Sequence, residues 1–554
     1  MMPILSILIF LPLIFALVIA ILPQHYAPYF KWITLGVTGV ELLLSSYLYF
    51  SFDKSALSYQ FQEQLDWITL PLGALGVGSI DYLLGVDGIS LPMVLLAGIV
   101  MFVGAISSFE IKDKERGYFG LYLLLTGSVI GCFVALDMFL FYLFFEFMLL
   151  PMYFLIGIWG GPRKEYASIK FFIYTLVGSL FILLVMIGLY LSVIDPVETA
   201  IQMGLIMDKS QATPELITQV QQLLAEGKVL PEQLVHTFDL RFMADGANFV
   251  GDSWLHKAAE VAMGSLSVRA IAFLLLIAGF AIKLPAVPVH TWLPDAHVEA
   301  PTPVSVVLAG ILLKIGGYGF LRIAYPIFPE QAIHYASLIA CLGAVSIVYG
   351  AYNALAMKDL KKMIAYSSVS HMGFVMLGVA SITSQGINGA VYQMFSHGIL
   401  SAMLFLLVGV LYSRTHDRQI DSYQGLASKM PIYTALVALT FFASLGLPAF
   451  SGFIGEFFTL AGAFNTPLIP KWITVLGALG IVLGAGYFLW TLQRMFFGNY
   501  WSKYELSLLP DLTIREKIML FPLAILAIAF GIFPQLLLDI TNGTVTEFLK
   551  VFAQ

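Results

Sequence analysis

Long apolar stretches recur along the whole chain and constrain its fold more than any other feature. A helix needs about 20 apolar residues to cross the roughly 30 Å hydrocarbon layer of a membrane. Within that layer every backbone polar group must be satisfied by the protein itself, which favours helices over open strands. The sequence therefore predicts an all-α polytopic membrane protein with about fourteen transmembrane helices, near residues 3–23, 32–51, 83–107, 118–135, 137–158, 170–194, 266–286, 302–323, 332–352, 363–381, 386–412, 431–465 (broken), 472–496 and 516–537.

The composition agrees with this class and excludes others. Hydrophobic residues make up 59% of the 554 residues and charged residues 11%, whereas soluble domains are about a quarter charged. Nothing in the charge balance indicates nucleic-acid binding. Cys132 and Cys341 lack the CxxC spacing of a metal site or redox motif, so we expect two packed core residues. The first apolar stretch has no basic leader and no small-residue cleavage site, which predicts a retained helix rather than a signal peptide.

Basic residues between the predicted spans indicate an orientation. They concentrate in the odd-numbered connections, while the short even-numbered ones carry few, such as Lys54 and Lys471. By the positive-inside rule the odd connections face the cytoplasm and both termini face the opposite side. The basic residues of the odd connections are Lys31, Lys112, Lys114, Arg116, Arg163, Lys164, Lys358, Lys361, Lys362, Arg414, Arg418, Lys429, Lys503 and Arg515.

A polar segment, residues 196–262, interrupts the apolar pattern between the sixth and seventh predicted spans. Thr213 can cap a helix and Pro214 suits its first position, while Gly227 can follow its end. Ile217, Val220 and Leu224 would share one face of this short amphipathic helix. We expect the segment to form a structural or partner-covering loop, and a more specific role stays open.

Four of the ionisable residues inside the predicted spans stand out as candidates. Glu146 is surrounded by aromatic residues, Lys283 stands directly before the helix-breaking Leu284-Pro285, and Lys314 and Glu456 lie in later spans. Charge at bilayer depth is costly, so such residues usually mark ion or proton paths. Static ion pairs between helices are the alternative. Two of the four residues stand beside broken helices, which favours a proton or ion translocator.

Histidines add further candidates, because imidazole titrates near neutral pH. His290, His297, His371 and His397 lie in or beside predicted spans, and no two of them have the spacing of a metal-binding pair. A single histidine in a helix bundle can equally be a packed polar group. We name His290, His371 and His397 as candidate relay residues.

Internal symmetry supports a transport site. The tripeptide Leu-Pro-Ala occurs at residues 284–286 in the seventh span and at 447–449 in the twelfth, each time near an ionisable residue. Matching helix breaks in two halves of a chain point to a site at the interface of repeats. The two breaks are five spans apart, an odd number, so the repeats should be inverted relative to each other.

Three segments carry a resemblance to a known family: KLPAVPVHTWLPDAHVEAPT at residues 283–302, LAGILLK at 308–314 and IAYSSVSHMG at 364–373. The chain resembles the antiporter-like membrane subunits of respiratory complex I over nearly all its spans. Within that family it is most similar to the M type, the counterpart of mitochondrial subunit 4. The resemblance implies four parts: helices 1–3 at residues 1–107, a five-helix repeat (helices 4–8) at 118–323 that includes the polar insert, an inverted repeat (helices 9–13) at 332–496, and helix 14 at 516–537.

The resemblance also implies roles for the buried charges. Glu146 corresponds to the coupling glutamate of the fifth helix, Lys283 to the lysine of the seventh, Lys314 to the connecting lysine of the eighth and Glu456 to the acid of the twelfth toward the exit. Residues 196–262 are longer than the loop expected in the family. The chain stops soon after its last span, without the amphipathic arm of the L-type relative.

The implied function is proton translocation in the membrane arm of an NADH:quinone oxidoreductase. No dinucleotide glycine fingerprint, haem pair or cluster-binding cysteine set occurs in the chain, so NADH, flavin, iron–sulfur clusters and quinone would belong to partner subunits. The implied partners are other membrane-arm subunits, above all N-type and L-type neighbours, and membrane lipid. The implied location is the bacterial plasma membrane. The alternatives are an Mrp-type cation/proton antiporter subunit, the close relative found in photosynthetic membranes and a static scaffold.

Overall fold

The computed structural model describes residues 3–257, 262–263 and 266–553. Its N-terminal part is a bundle of apolar helices, as the sequence predicts. A β-hairpin joins the second helix to the third. The helices are α1 (Ile4–Ile21), α2 (Ala27–Ser51), α3 (Ser90–Ser107), α4 (Glu115–Val134), α5 (Met138–Phe147), α6 (Leu149–Trp159) and α7 (Lys164–Tyr190), and the strands are β1 (Gln60–Pro71) and β2 (Val77–Val86).

The hairpin corrects one predicted boundary. The third span was expected to start at residue 83, but residues 83–86 belong to β2, which pairs antiparallel with β1. Leu83, Leu84 and Val86 are buried. A buried strand is as apolar as a buried helix over so few residues, so hydrophobicity alone could not separate the two.

The polar insert folds over one end of the bundle. Its elements are α8 (Pro196–Gln202), α9 (Pro214–Ala225), β3 (Val235–Thr237), α10 (Leu240–Met243), β4 (Ala262–Met263) and β5 (Leu266–Ser267). The predicted amphipathic helix is confirmed as α9: Thr213 accepts a hydrogen bond from the Leu216 amide, and Val220 and Leu224 are buried. Strand β3 pairs in parallel with β2, so the insert is tied to the N-terminal hairpin.

Two predicted helix breaks flank the middle of the chain. The helices there are α11 (Val268–Lys283), α12 (Trp292–Glu299), α13 (Thr302–Val307), α14 (Leu313–Gly319), α15 (Tyr325–Ile327), α16 (Pro329–His334), α17 (Ala336–Ala356), α18 (Leu360–Ala380), α19 (Ser384–Thr415), α20 (Pro431–Ser444) and α21 (Ser451–Asn465). Residues 284–291 separate α11 from α12, and residues 445–450 separate α20 from α21. Short π-helical segments at 308–312 and 320–324 join α13, α14 and α15 into one continuous span.

The C-terminal part contains α22 (Lys471–Phe496), α23 (Ile514–Ile532) and α24 (Gln535–Lys550), and β6 (Tyr423–Gln424) pairs with β7 (Trp501–Ser502). The last predicted span, 516–537, is not one straight helix, because α23 and α24 meet at an angle of 63°. Pro534 stands between them, and proline cannot continue a helix at that point.

Within residues 3–257, 262–263 and 266–553, 11 helices are long and apolar enough to cross a membrane, or 12 if the bent pair counts as one span. The chain is thus a multi-pass helical membrane protein. The halves of the two broken helices have 16, 8, 14 and 15 residues, too few for any half to cross alone. The count of fourteen spans and the inverted repeats stay predictions.

The spans form an inner and an outer layer. Burial of the most apolar 18 residues of each span separates the layers. At least 94% of these residues are buried in α3, Thr302–Ile327, α18 and α19, and at most 39% are buried in α1, α2, α7 and α22. Outer helices expose large apolar side chains such as Leu43, Leu184 and Val482. The inner layer is therefore shielded from lipid, and it carries Lys314, His371 and His397.

Candidate functional site

Lys283 is the last residue of α11, at the first helix break. Pro285 and Pro288 lack the backbone N–H that a continuing helix needs, so the helix ends here. The side chain is 1% exposed, and its Nζ has no hydrogen-bond partner among the described residues. The Nζ lies 4.9 Å from the ring centroid of Phe145 and 5.8 Å from that of Phe171. Aromatic faces and the negative C-terminal end of α11 both favour a cation at this place.

Glu146 lies near this lysine without contacting it. It occupies the last turn of α5, and its buried Oε1 has no hydrogen-bond partner among the described residues. The carboxylate of Glu146 is near enough for its charge to act on Lys283. The Glu146 carboxylate and the Lys283 ammonium form no ion pair, because their oxygen and nitrogen atoms are more than 4.0 Å apart. The two groups are thus close enough to interact and are separated in this conformation.

Lys314 lies on α14 between the two π-helical segments. It is 0% exposed. Its Nζ donates to the carbonyl oxygen of Ala309 and lies 2.8 Å from Nδ1 of His397 on α19. Short π-helical segments inside α-helices occur frequently at functional sites. Because an ammonium only donates, Nδ1 of His397 is the acceptor, and Nε2 then carries the proton of the neutral ring.

The contact continues from His397 to Glu456. The rings of His397 and His371 are 5.3 Å apart between centroids. Nε2 of His371 lies 3.0 Å from the carbonyl oxygen of Ser444 and 3.6 Å from Oε1 of Glu456. Ser444 is the last residue of α20, where the helix break leaves its carbonyl without an intrahelical partner. The second break therefore supplies both the acceptor that orients His371 and the helix that carries Glu456.

A small cavity joins these groups. It has about 10 Å³ of room for the centre of a water molecule, which is about one water. Oε2 of Glu456 has no hydrogen-bond partner among the described residues. The polar residues that line the cavity are His371, Gln393, Ser396, His397, Ser401, Ser444 and Glu456. We call Lys314, His397, His371 and Glu456 the central chain.

The structure thus brings together some predicted site residues and separates others. Lys314, His371, His397 and Glu456 are contiguous, while Glu146 and Lys283 form a neighbouring cluster. The two groups lie on closely packed helices: a Cβ added at Gly316, two residues after Lys314, would be 2.6 Å from the carbonyl oxygen of Phe280 on α11.

His290 lies apart from both groups. It sits in the first break, and its ring is 5.1 Å from that of Tyr349 and 6.3 Å from that of Tyr366. Its Nδ1 has no hydrogen-bond partner among the described residues. Nearby, Lys170 and Asp295 form an ion pair of 2.7 Å. A relay role for His290 stays a prediction.

Sequence reasoning missed several buried cations, and two of them are Lys361 and Arg322. Lys361 was counted among loop residues, but it is 4% exposed and its Nζ donates to the Ala300 carbonyl oxygen at 2.6 Å. With Lys358 and Lys362 close by in sequence, it looked like one of several loop lysines. Arg322 forms a buried ion pair of 2.6 Å with Asp87. Arg322 lies eight residues after Lys314 and so near the same helix face, a spacing that could have identified it.

His297 is a third buried group that sequence reasoning left without a role. It is 0% exposed and stacks on Phe405 at 4.3 Å. Neither ring nitrogen has a hydrogen-bond partner in the part of the chain that the structure describes. That part also contains no group of three or more His, Cys, Asp and Glu side chains arranged to hold a metal ion.

Comparisons with known proteins agree with this architecture. The model of the family described as "NADH:quinone oxidoreductase/Mrp antiporter, TM" matches residues 135–212 and 248–484. The gap between the two matches lies inside the polar insert. A protein of Rhodobacter capsulatus named NADH-quinone oxidoreductase subunit M is 39% identical over 99% of this chain and 97% of its own length.

Solved structures have the same fold. A chain of respiratory complex I from Thermus thermophilus superposes with a TM-score of 0.77 at 28% identity and covers 99% of both chains. A chain of the Mrp complex from Dietzia gives a TM-score of 0.75 at 19% identity and 99% coverage of both, which shows a shared fold. The family model matches more than half of the chain, and a relative matches it over almost its full length. The chain therefore belongs to the NADH:quinone oxidoreductase/Mrp antiporter family of membrane proteins.

Proposed function

We propose that the chain is an M-type, proton-translocating membrane subunit of an NADH:quinone oxidoreductase. The observation that carries the proposal is the central chain: a lysine, two histidines and a glutamate in sequential proximity inside a core shielded from lipid. Intramembrane ionisable groups in sequence are typical of proton relays. The full-length resemblance to the Rhodobacter capsulatus subunit M supports the same assignment.

In this proposal Glu146 and Lys283 form a switchable pair. A contact pair at about 4 Å is worth roughly 4 kcal/mol at an effective dielectric constant of 20. When the pair closes, Glu146 stabilises the ammonium of Lys283. When it opens, an unpaired ammonium in an apolar site is costly, which favours release of the proton toward Lys314. The open arrangement of the present structure corresponds to the releasing state.

The central chain then passes the proton on. Lys314 donates to Nδ1 of His397, and the ring releases the proton already on Nε2 toward His371. His371 has its Nε2–H directed at the Ser444 carbonyl and near Glu456, so it takes up a proton at Nδ1 and releases one from Nε2. Each imidazole accepts on one nitrogen and donates from the other, which is the property that suits histidine to a relay.

Electron transfer belongs to other subunits in this proposal. NADH, flavin, iron–sulfur clusters and quinone would be bound by partners, with N-type and L-type subunits as neighbours in the membrane arm of a bacterial plasma membrane. Residues 1–107, 118–323, 332–496 and 516–537 would form the four parts named above, with both termini on the periplasmic side.

The substitution Lys283→Met tests the proposal in the intact complex. Methionine keeps the volume of the side chain and removes its charge, so we expect proton pumping to fall at least about tenfold while the complex still assembles. Pumping is measured by dye quenching in inverted vesicles, and assembly on native gels. The control is Lys54→Met, because Lys54 is an exposed lysine paired with Asp539; it should pump normally. Normal pumping by Lys283→Met would contradict the proposal.

The purified assembly separates this function from an Mrp-type antiporter. An assembly that contains flavin and iron–sulfur signals supports the NADH:quinone oxidoreductase assignment. An assembly without them that exchanges sodium for protons supports the antiporter.

A further inference from the structure

Helix α2 carries a carboxylic acid at bilayer depth that has no role in the mechanism above. Glu41 lies well inside the 25-residue helix and is 0% exposed. Neither oxygen of its carboxyl group has a hydrogen-bond partner among residues 3–257, 262–263 and 266–553. The chain itself encloses the group, so a side chain of a neighbouring subunit does not reach it in this conformation.

Glu41 belongs to a polar face of α2. Thr34, Thr38, Glu41 and Ser45 follow at intervals of four, three and four residues, which places them on one side of a helix, and all four are buried. The hydroxyl of Thr38 donates to the Thr34 carbonyl, and that of Ser45 to the Leu42 carbonyl. These hydroxyl groups therefore retain acceptor capacity beside the acid.

This face packs against α3. A Cβ added at Gly98 of α3 would lie 2.4 Å from Oγ of Ser45 and 3.3 Å from Cα of Leu42, so the two helices are in close contact. A Cβ added at Gly39, on a different side of α2 from Glu41, would lie 3.5 Å from Phe102 of α3.

Helix α3 in turn contacts the helices of the central chain. A Cβ added at Gly310 would lie 2.8 Å from Val100, and one added at Gly398 would lie 2.4 Å from Leu96. Gly398 follows His397 directly, and Gly310 precedes Lys314 by about one turn. Glu41 is therefore one helix away from the Lys314–His397 contact, across a buried layer of helix α3 in which charges are poorly screened.

An ionised carboxylate without donors is much more costly in such a place than a neutral acid. We propose that Glu41 is a proton-binding residue, protonated in this conformation, that exchanges its proton during turnover and acts electrostatically on Lys314 across α3. Ionisation of Glu41 would favour the ammonium form of Lys314, so proton release at one group is linked to proton uptake at the other. The inference rests on the proposed function, since it requires Lys314 to carry protons.

Carbodiimide labelling of the intact complex tests the protonation. Dicyclohexylcarbodiimide partitions into membranes and adds to protonated carboxyl groups. We expect mass spectrometry to find the adduct on Glu41 at neutral pH and its rate of formation to change at least about twofold during turnover with NADH and quinone. Glu110 is the control, because it is an exposed carboxylate paired with Arg515 and should stay unlabelled. An unlabelled Glu41, or a rate that turnover does not change, would overturn the proposal.

Substitution tests the role in pumping. Glu41→Gln keeps the shape and removes the exchangeable proton, so we expect pumping per NADH oxidised to fall about threefold or more, while Glu41→Asp keeps at least half. Glu110→Gln should pump normally. Normal pumping by Glu41→Gln would overturn the proposal. If this variant does not assemble, the turnover dependence of labelling decides. Lys283→Met separates the role of Glu41 from the proposed function of the chain. If Lys283→Met stops pumping and Glu41→Gln pumps normally, only the role of Glu41 is removed.

Discussion

Glu146 and Lys283 illustrate how a buried pair can be close without being joined. Phe145, next to Glu146 in sequence, places its ring 4.9 Å from the lysine ammonium. The aromatic face partly replaces the carboxylate as a partner, at an energy of about 2 kcal/mol when desolvated. This weaker partner reduces the free-energy difference between the closed and the open arrangement, which is useful for a switch.

Substitutions of Glu146 test that interpretation. Glu146→Gln cannot form the charge-dependent pair, so we expect a loss of pumping of at least about tenfold. Glu146→Asp keeps the charge on a shorter side chain and should retain part of the activity. The measurement is the initial rate of proton pumping at equal amounts of assembled complex. Equal rates for the two variants would remove Glu146 from the proposed path.

Single charges inside apolar runs could be identified from the sequence, but their contacts could not. Lys314 and His397 are 83 residues apart, and no periodicity indicates which helices pack against each other. Glu41 lies inside the predicted span 32–51 and was visible as a charge in an apolar run. Its importance appears only from the structure, because its burial and lack of partners depend on how α2 packs on α3.

The two helix breaks hold ionisable groups in opposite ways. Lys283 ends the first half of its broken helix, whereas Glu456 lies in the second turn of the second half of the other. The C-terminal end of a helix is negative, so the first break favours the ammonium of Lys283; the positive N-terminal end acts more weakly on Glu456, because the effect falls off beyond the first turn. The tripeptide repeat predicted both breaks, and the sequence order places Lys283 before the first and Glu456 after the second, but the sequence could not indicate which groups each charge contacts.

Gly446 gives a test of the second break. Its φ is +80°, and a Cβ there would lie 2.3 Å from Oε2 of Glu456. We expect Gly446→Ala to destabilise the break by about 1–2 kcal/mol and to displace the glutamate, so that pumping falls several-fold. Gly486→Ala in α22 is the control, because no atom lies within 4 Å of its added Cβ. If both variants pump alike, the position of Glu456 does not depend on Gly446.

The insert contains a titrating cap outside the membrane-spanning helices. Asp195 accepts hydrogen bonds from the amides of Val197 and Glu198 at the start of α8. Burial raises the pKa of Asp195 to about 7, and the negative charges of Asp239 and Glu198 act in the same direction. An unfolded aspartate titrates near pH 3.9. The folded insert therefore binds this proton more tightly, and its stabilising contribution decreases as the pH rises from about 4 to about 7.

Asp195→Asn should remove this pH dependence, since asparagine still caps the helix. We expect hydrogen exchange of residues 192–250, corrected for its intrinsic rate, to accelerate between pH 5 and 7 in the native protein, because the free energy of opening falls by up to about 1.4 kcal/mol per pH unit. The exchange should change less in the variant. Asp208→Asn is the control: hydrogen bonds from Ser210 lower the pKa of that exposed carboxyl group, so it does not titrate in this range. An unchanged pH slope in Asp195→Asn would contradict the assignment.

As a whole, the molecule is a shell of partly exposed apolar helices around a buried layer of helices that carries the central chain. About a third of the most apolar residues are buried in outer helices such as α1 and α22. In inner helices such as α18 and α19 almost all of them are buried. Composition predicted the membrane class and positions of helices. The inner and outer layers could not be predicted, because both consist of equally apolar sequence: α3 and α7 have similar composition but opposite burial.

The close packing of the interior should limit passive passage of protons through the chain. Leu404 lines the one-water cavity beside His397 and is 3% exposed. We expect Leu404→Ala to enlarge the cavity, admit more water and raise the passive proton leak of vesicles under an imposed pH gradient several-fold. Leu523→Ala, a fully buried leucine of α23, is the control for general destabilisation, which costs about 2–5 kcal/mol at either position. Equal leaks in the two variants would show that this cavity does not limit proton passage.

The small cavity between His397 and Glu456 also determines where a membrane voltage acts. A transmembrane field is weak across water-filled entrances and strong across dry layers of low polarisability. Only those proton steps that run along the membrane normal work against this field, and together they cost about 2.3 kcal/mol for a full crossing at 100 mV. The rates of these steps should therefore decrease as the membrane becomes energised, whereas a step within the plane of the membrane should not respond to the voltage.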